Sequence, residues 1–131
     1  MCVSARPRRH AVEGVEHVVD GIETVVHPVK DLEQAKILYR ALTGVAPVKD
    51  EPYYVGFDVD GRRIGLDPNG HRKGMTGPIV YWRVTDITRS VQELVDAGAE
   101  VQQDVKDVGG GAQTALIRDA DGNVIGLLAR P

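Results

Sequence analysis

Apolar and polar positions along this chain alternate, then recur at helical spacing, then alternate again, and the whole series occurs twice. Ile22 to Pro28 reads as a short apolar strand that runs into Val29-Lys30-Asp31-Leu32. From there Leu32, Ala35, Leu38/Tyr39 and Leu42 fall three or four residues apart, which predicts a helix with that set as its buried face. Asp31 is placed to cap the helix, with Gln34 three residues on, and Gly44 is placed to end it in a left-handed conformation. Val45 to Val48 is a strand candidate. Tyr53 to Val59 and Arg62 to Asp67 flank Asp60-Gly61, a hairpin signal because both central positions require positive φ.

The second half follows the same order. Ile79 to Val84 predicts a strand, and Asp86 caps a helix with Ile87, Val91, Leu94 and Val95 on its apolar side, ended by Gly98. Glu100 to Val105 is a weaker strand candidate. Gly109-Gly110-Gly111 reads as a flexible rim loop before the strand Ala112 to Ile117, and Asp121-Gly122 precedes the last strand, Asn123 to Leu128.

One phrase ties the halves together. Asp60-Gly61-Arg62-Arg63-Ile64-Gly65-Leu66 returns as Asp121-Gly122-Asn123-Val124-Ile125-Gly126-Leu127, and Val29-Lys30-Asp31-Leu32 is echoed by Val84-Thr85-Asp86-Ile87. Two copies at so long a period indicate a duplicated module and not a solenoid. The expected fold is therefore α+β: two βαβββ modules in one chain, at about 21–68 and 78–130, with mixed sheets curved around a central cleft. Residues 1–20 stand outside the repeat and are expected to form a flexible extension ahead of a single domain at 21–130.

Bulk properties narrow the field. A chain of 131 residues can hold one domain with a core. Its net charge of −3 argues against a nucleic-acid partner, and no apolar run is long enough to span a bilayer. The single cysteine, Cys2, cannot close an internal disulfide, which fits a cytoplasmic protein.

Two stretches carry a family resemblance. Val29-Lys30-Asp31-Leu32-Glu33-Gln34-Ala35, with Tyr39 and Leu42, resembles the first strand-to-helix junction of the vicinal oxygen chelate superfamily. Asp119-Ala120-Asp121-Gly122-Asn123-Val124-Ile125 is similar to its closing turn and strand, with Ala120 in place of the usual proline. That group includes glyoxalase I, methylmalonyl-CoA epimerase, extradiol dioxygenases and bleomycin-type resistance proteins, and the likeness covers about residues 21 to 130. It implies a small-molecule ligand and a homodimer. In the family's metalloenzymes a divalent ion is held from four strands, at positions that correspond here to Thr24, Gly65, Ile79 and Gly126. None of these is a usual ligand, since such sites need about three imidazole or carboxylate groups. The resemblance thus implies a metal-independent binder without a cofactor, akin to the resistance proteins. The alternative is a glyoxalase- or dioxygenase-like enzyme with non-standard ligands, or a metal-free catalyst using Asp67 or a tyrosine as base.

Strand alternation proposes further ligand-binding residues. Tyr81 and Arg83 keep step with Ile79, and Arg63 and Asp67 with Gly65, so all should face the cleft. One of Tyr53 and Tyr54 should also point inward. Arg83 is the candidate anion holder, unless it forms a structural ion pair with Asp67. Gly65 and Gly126 leave room either for a ligand near the backbone or for close packing. His27 alternates towards the helices, His71 lies in the polar connector Pro68 to Gly77, and His10 and His17 belong to the extension.

Overall fold

A computed structural model of the chain describes residues 19–131. The extension expected at residues 1–20 therefore lies, except for its last two residues, outside the described region, as do Cys2, His10 and His17. The elements are strand β1 (Gly21–Pro28), helix α1 (Leu32–Thr43), strands β2 (Lys49–Glu51), β3 (Tyr54–Val59), β4 (Arg62–Asp67) and β5 (Ile79–Arg83), helix α2 (Ile87–Asp96), and strands β6 (Glu100–Gly109), β7 (Ala112–Arg118) and β8 (Val124–Ala129).

Local chemistry sets most of these boundaries. The Asp31 carboxylate accepts a hydrogen bond from the Gln34 amide at 3.0 Å, and Asp86 does the same for Arg89 at 3.2 Å. Each satisfies one of the donors that the first turn of a helix leaves without partners. Gly44 closes α1 at φ 74°. Asp60 and Gly61 sit at φ 57° and 87°, the pair of positive values that a two-residue hairpin needs. The second copy of the phrase turns differently: Asp119 accepts the amides of Asp121 and Asn123 and the Asn123 side chain, all at 2.9 Å.

The eight strands form one mixed sheet in the order β2-β3-β4-β1-β5-β8-β7-β6. β1 and β4 pair in parallel, as do β5 and β8, and the two modules join where β1 meets β5 antiparallel. The two expected sheets are thus halves of one, built within one chain.

Both helices cover the same face. Val55, Phe57 and Leu66 are completely buried beneath α1, against Leu32, Ala35 and Tyr39. Val84, Ala115, Leu127 and Ala129 pack with Ile87, and with Trp82, Val91 and Leu94, beneath α2. A fully buried side chain of this size contributes about 1.5–3 kcal/mol. His27 lies on this face too, its ring centroid 5.4 Å from that of Tyr39.

Three expectations change. Val45 to Val48 is not a strand; β2 begins at Lys49, and only the Val48 amide joins it, donating to the Gly56 carbonyl at 2.8 Å. Leu38 and Leu42 do not belong to the buried face of α1, being 61% and 70% exposed, and Ile37 beside them is 65% exposed. The short β2 gives α1 little sheet to cover, so only the stripe through Leu32, Ala35 and Tyr39 finds a partner. Val95 of α2 is likewise partly exposed. Among the described residues no helix is long and apolar enough to cross a membrane.

Candidate functional site

The face away from the helices carries the residues that alternation assigned to the cleft. Across its middle, Arg63, Thr24, Tyr81 and Gly126 sit side by side through the pairings β4–β1, β1–β5 and β5–β8. The next row holds Gly56, Gly65, Val26 and Ile79, and beyond it Asp67 stands beside Pro28. On the other side of the middle row, Arg83 pairs with Leu128, which in turn faces Thr114. Partners across a sheet point to the same side. Thr24, Asp67, Ile79 and Thr114 are buried although neither α1 nor α2 lies on this face.

The two glycines of the repeated phrase have a shared reason. A Cβ on Gly65 would overlap the Tyr54 hydroxyl and lie 2.5 Å from Cζ of that ring. A Cβ on Gly126 would lie 2.6 Å from Cδ2 and 2.8 Å from Cγ of Tyr81. Each glycine is therefore roofed by a tyrosine ring lying across the strand, an arrangement that restores the apolar contact glycine lacks. Any ligand approaching the backbone at these two points must first displace a ring. Tyr53, the other member of its pair, is exposed; Lys49 Nζ stands 5.5 Å from its ring and 5.7 Å from that of Tyr54.

Both roofing tyrosines are held in the neutral form. Burial, helped by the neighbouring Tyr81 phenol and by Asp67, pushes Tyr54 from its ordinary 10.0 up to about 12. Burial and then Asp67 also raise Tyr81. Near neutral pH the two phenols are hydrogen-bond donors and poor bases. Asp67 is engaged as well: one oxygen accepts the Asn69 amide at 2.8 Å and the other meets Lys73 Nζ at 2.9 Å.

The raised value has a stability consequence. The unfolded phenol ionises near 10.0 and the folded Tyr54 near 12, so the contribution is complete below pH 10 and is lost as pH rises through that window. Urea unfolding at pH 9, 10 and 11 is expected to show a steeper decline for the natural chain than for Tyr54→Phe. Parallel declines would contradict the assignment.

The ion pair suggested between Arg83 and Asp67 does not form. Arg83 Nε donates instead to Glu23 Oε1 at 3.1 Å, and Arg130 Nε donates to Glu23 Oε2 at 3.0 Å, with Nη2 in ion-pair contact 2.9 Å from the same oxygen. Simple alternation would place Glu23 with Val25, facing the helices. An irregularity in the β1–β5 pairing, between Ile22 and Thr24, inserts Glu23 as an extra residue and turns it to the other face. Nothing in the local sequence signals that bulge. Arg130 lies one residue past β8, in step with Gly126 and Leu128, and alternation carried one residue further would have found it.

The Glyoxalase/Bleomycin resistance protein/Dioxygenase superfamily profile matches residues 16–127, and the chain belongs to that superfamily. Among solved structures, methylmalonyl-CoA epimerase from Mycobacterium tuberculosis superposes with a TM-score of 0.65 at 18% identity, over 93% of this chain and 94% of that one. A Legionella pneumophila structure described as an NAD-dependent benzaldehyde dehydrogenase gives 0.68 at 18% identity, covering 82% and 98%. The Mn(II)-bound glyoxalase from Novosphingobium aromaticivorans gives 0.61 at 19% identity, covering 86% of this chain and 39% of that one. These likenesses establish the shared fold. Comparison with curated proteins gives no significant sequence match.

The residues at the four positions that the resemblance implies for metal ligands do not fit a divalent ion. Thr24 offers a neutral hydroxyl, Ile79 is apolar, and Gly65 and Gly126 carry tyrosine rings above bare backbone. Among the described residues no three His, Cys, Asp or Glu side chains come together in a way that could hold one.

Proposed function

We propose that this chain is a metal-independent small-molecule-binding protein, closer in manner of action to the resistance proteins of its superfamily than to its metalloenzymes. The observation that carries the reading is the donor set on the helix-free face. The four expected metal positions lack ligands, while around them stand neutral phenols and half-exposed guanidiniums able to orient a small, partly aromatic or anionic molecule. Catalysis is not supported by the same groups: the phenols hold their protons and Asp67 is occupied by its ion pair with Lys73.

The test is equilibrium binding of a panel of small aromatic compounds, followed by NMR of the ligand. A saturable site is expected, weakened roughly fivefold by Tyr81→Phe through the loss of one hydrogen bond. An affinity indifferent to Tyr81 would remove the site from this face. Elemental analysis of protein purified without chelator addresses the rival: one tightly held transition metal per chain would replace binding with metalloenzyme chemistry.

The exposed apolar residues Ile37, Leu38 and Leu42 of α1 support a homodimer, to be read from the mass in solution. A cytoplasmic location, with no nucleic-acid or membrane partner, accords with the lone cysteine and the small net charge.

A further inference from the structure

On the helix-free face, where the ends of β1, β5 and β8 meet, three charged side chains form a unit. Glu23 is the buried member, with its side chain 10% exposed, while Arg83 and Arg130 flank it at 48% and 43% exposure. One carboxylate thus anchors two guanidiniums from different strands and leaves their outer sides in solvent. Arg83 spends only Nε on Glu23, and Arg130 spends Nε and Nη2. A guanidinium has five N–H donors, so most of them are left over. Among the described residues Glu23 is the only acid that either arginine contacts.

We propose that Arg83 and Arg130, held by Glu23, form a binding site for the carboxylate of a small aromatic acid. This deepens the binding role proposed above and rests on it. Two guanidiniums and one carboxylate sum to a single positive charge, which a monoanion neutralises. A dianionic phosphate would leave surplus negative charge next to the buried Glu23. Planar forks match a planar carboxylate in two-point contact, which a lysine pair could not provide. The apolar part of the ligand has a surface to lie on: Leu128 is the cross-strand neighbour of Arg83, and Tyr81 stands in the next row over Gly126.

The experiment compares benzoate, benzamide and phenyl phosphate binding to the 131-residue chain at low salt by calorimetry. Benzoate is expected to bind at least about tenfold more tightly than the isosteric neutral amide, and more tightly than phenyl phosphate. Its affinity should fall as sodium chloride is added, while that of benzamide should not. Arg83→Ala and Arg130→Ala should each weaken benzoate by about tenfold and narrow the gap between benzoate and benzamide. Each single variant keeps one guanidinium on Glu23, and a thermal melt verifies that it is folded. The comparison of ligands on the unaltered chain needs no variant at all. Equal binding of benzoate and benzamide would overturn the carboxylate site while leaving a small-molecule site standing. Tighter binding of phenyl phosphate would overturn the charge match. If none of the three bound at millimolar concentration, the carboxylate site and the binding role would fall together.

Discussion

Replacing Arg83 and Arg130 together by alanine is expected to destabilise the fold by about 3–5 kcal/mol, far more than the two single changes added. With one arginine gone, Glu23 still has a partner and the loss should be about 1 kcal/mol, because both guanidiniums are nearly half exposed and solvent screens each pair. With both gone, a carboxylate on a side chain only 10% exposed has no cation beside it. The cost comes from stranding that charge, not from the attraction of either pair. Adding Glu23→Met should therefore recover most of the loss, since a flexible apolar side chain of similar length needs no counter-charge. Urea midpoints for the two singles, the double and the triple variant check this. Small additive losses would mean that Glu23 reaches water, and its role as an anchor would be lost.

The second large effect concerns the glycines beneath the tyrosine rings. Gly126→Ala should destabilise by about 1–3 kcal/mol, the usual cost of forcing extra volume into a packed site. The new methyl would press on Cγ and Cδ2, the root of the Tyr81 ring, which cannot move without a change of rotamer. Gly65→Ala should cost less, because the atoms it meets are the hydroxyl and Cζ at the far end of Tyr54, which can swing aside. The sign of the Gly126 effect depends on the ring. In a Tyr81→Ala background the same Gly126→Ala change should stabilise by about 0.5–1 kcal/mol, as alanine does over glycine inside a strand. A destabilisation that persisted without the ring would show that the backbone, and not Tyr81, demands glycine there.

These effects place the resemblance to metalloenzymes in physical terms. Two of the four positions that the resemblance implies for an ion, Gly65 and Gly126, lie beneath tyrosine rings, and the charged side chains of this face pair with one another as Arg83–Glu23–Arg130 and Asp67–Lys73. The scaffold can be kept while its centre is refilled, because strand pairing and helix packing depend on the opposite face.

What the sequence determined by itself was the part written in short-range chemistry. The helix caps Asp31 and Asp86, the Asp60-Gly61 hairpin, the period-two strands and the duplicated phrase each involve a few neighbouring residues, and each specifies a local geometry with little help from elsewhere. From these the α+β fold, the two-module order and the faces of Thr24, Asp67, Tyr81 and Arg83 could be read.

Tertiary structure alone decided the rest. The pairing of β1 with β5 merges the modules into one sheet, and the bulge within that pairing turns Glu23 from the helix side to the open side. Which aromatic ring roofs which glycine is set between strands, and so is the failure of α1 to bury Leu38 and Leu42 over a short β2. A side chain's face follows from alternation only while the register is unbroken. One inserted residue, or a neighbouring strand too short to cover a helix, changes the outcome through contacts between residues far apart in the chain.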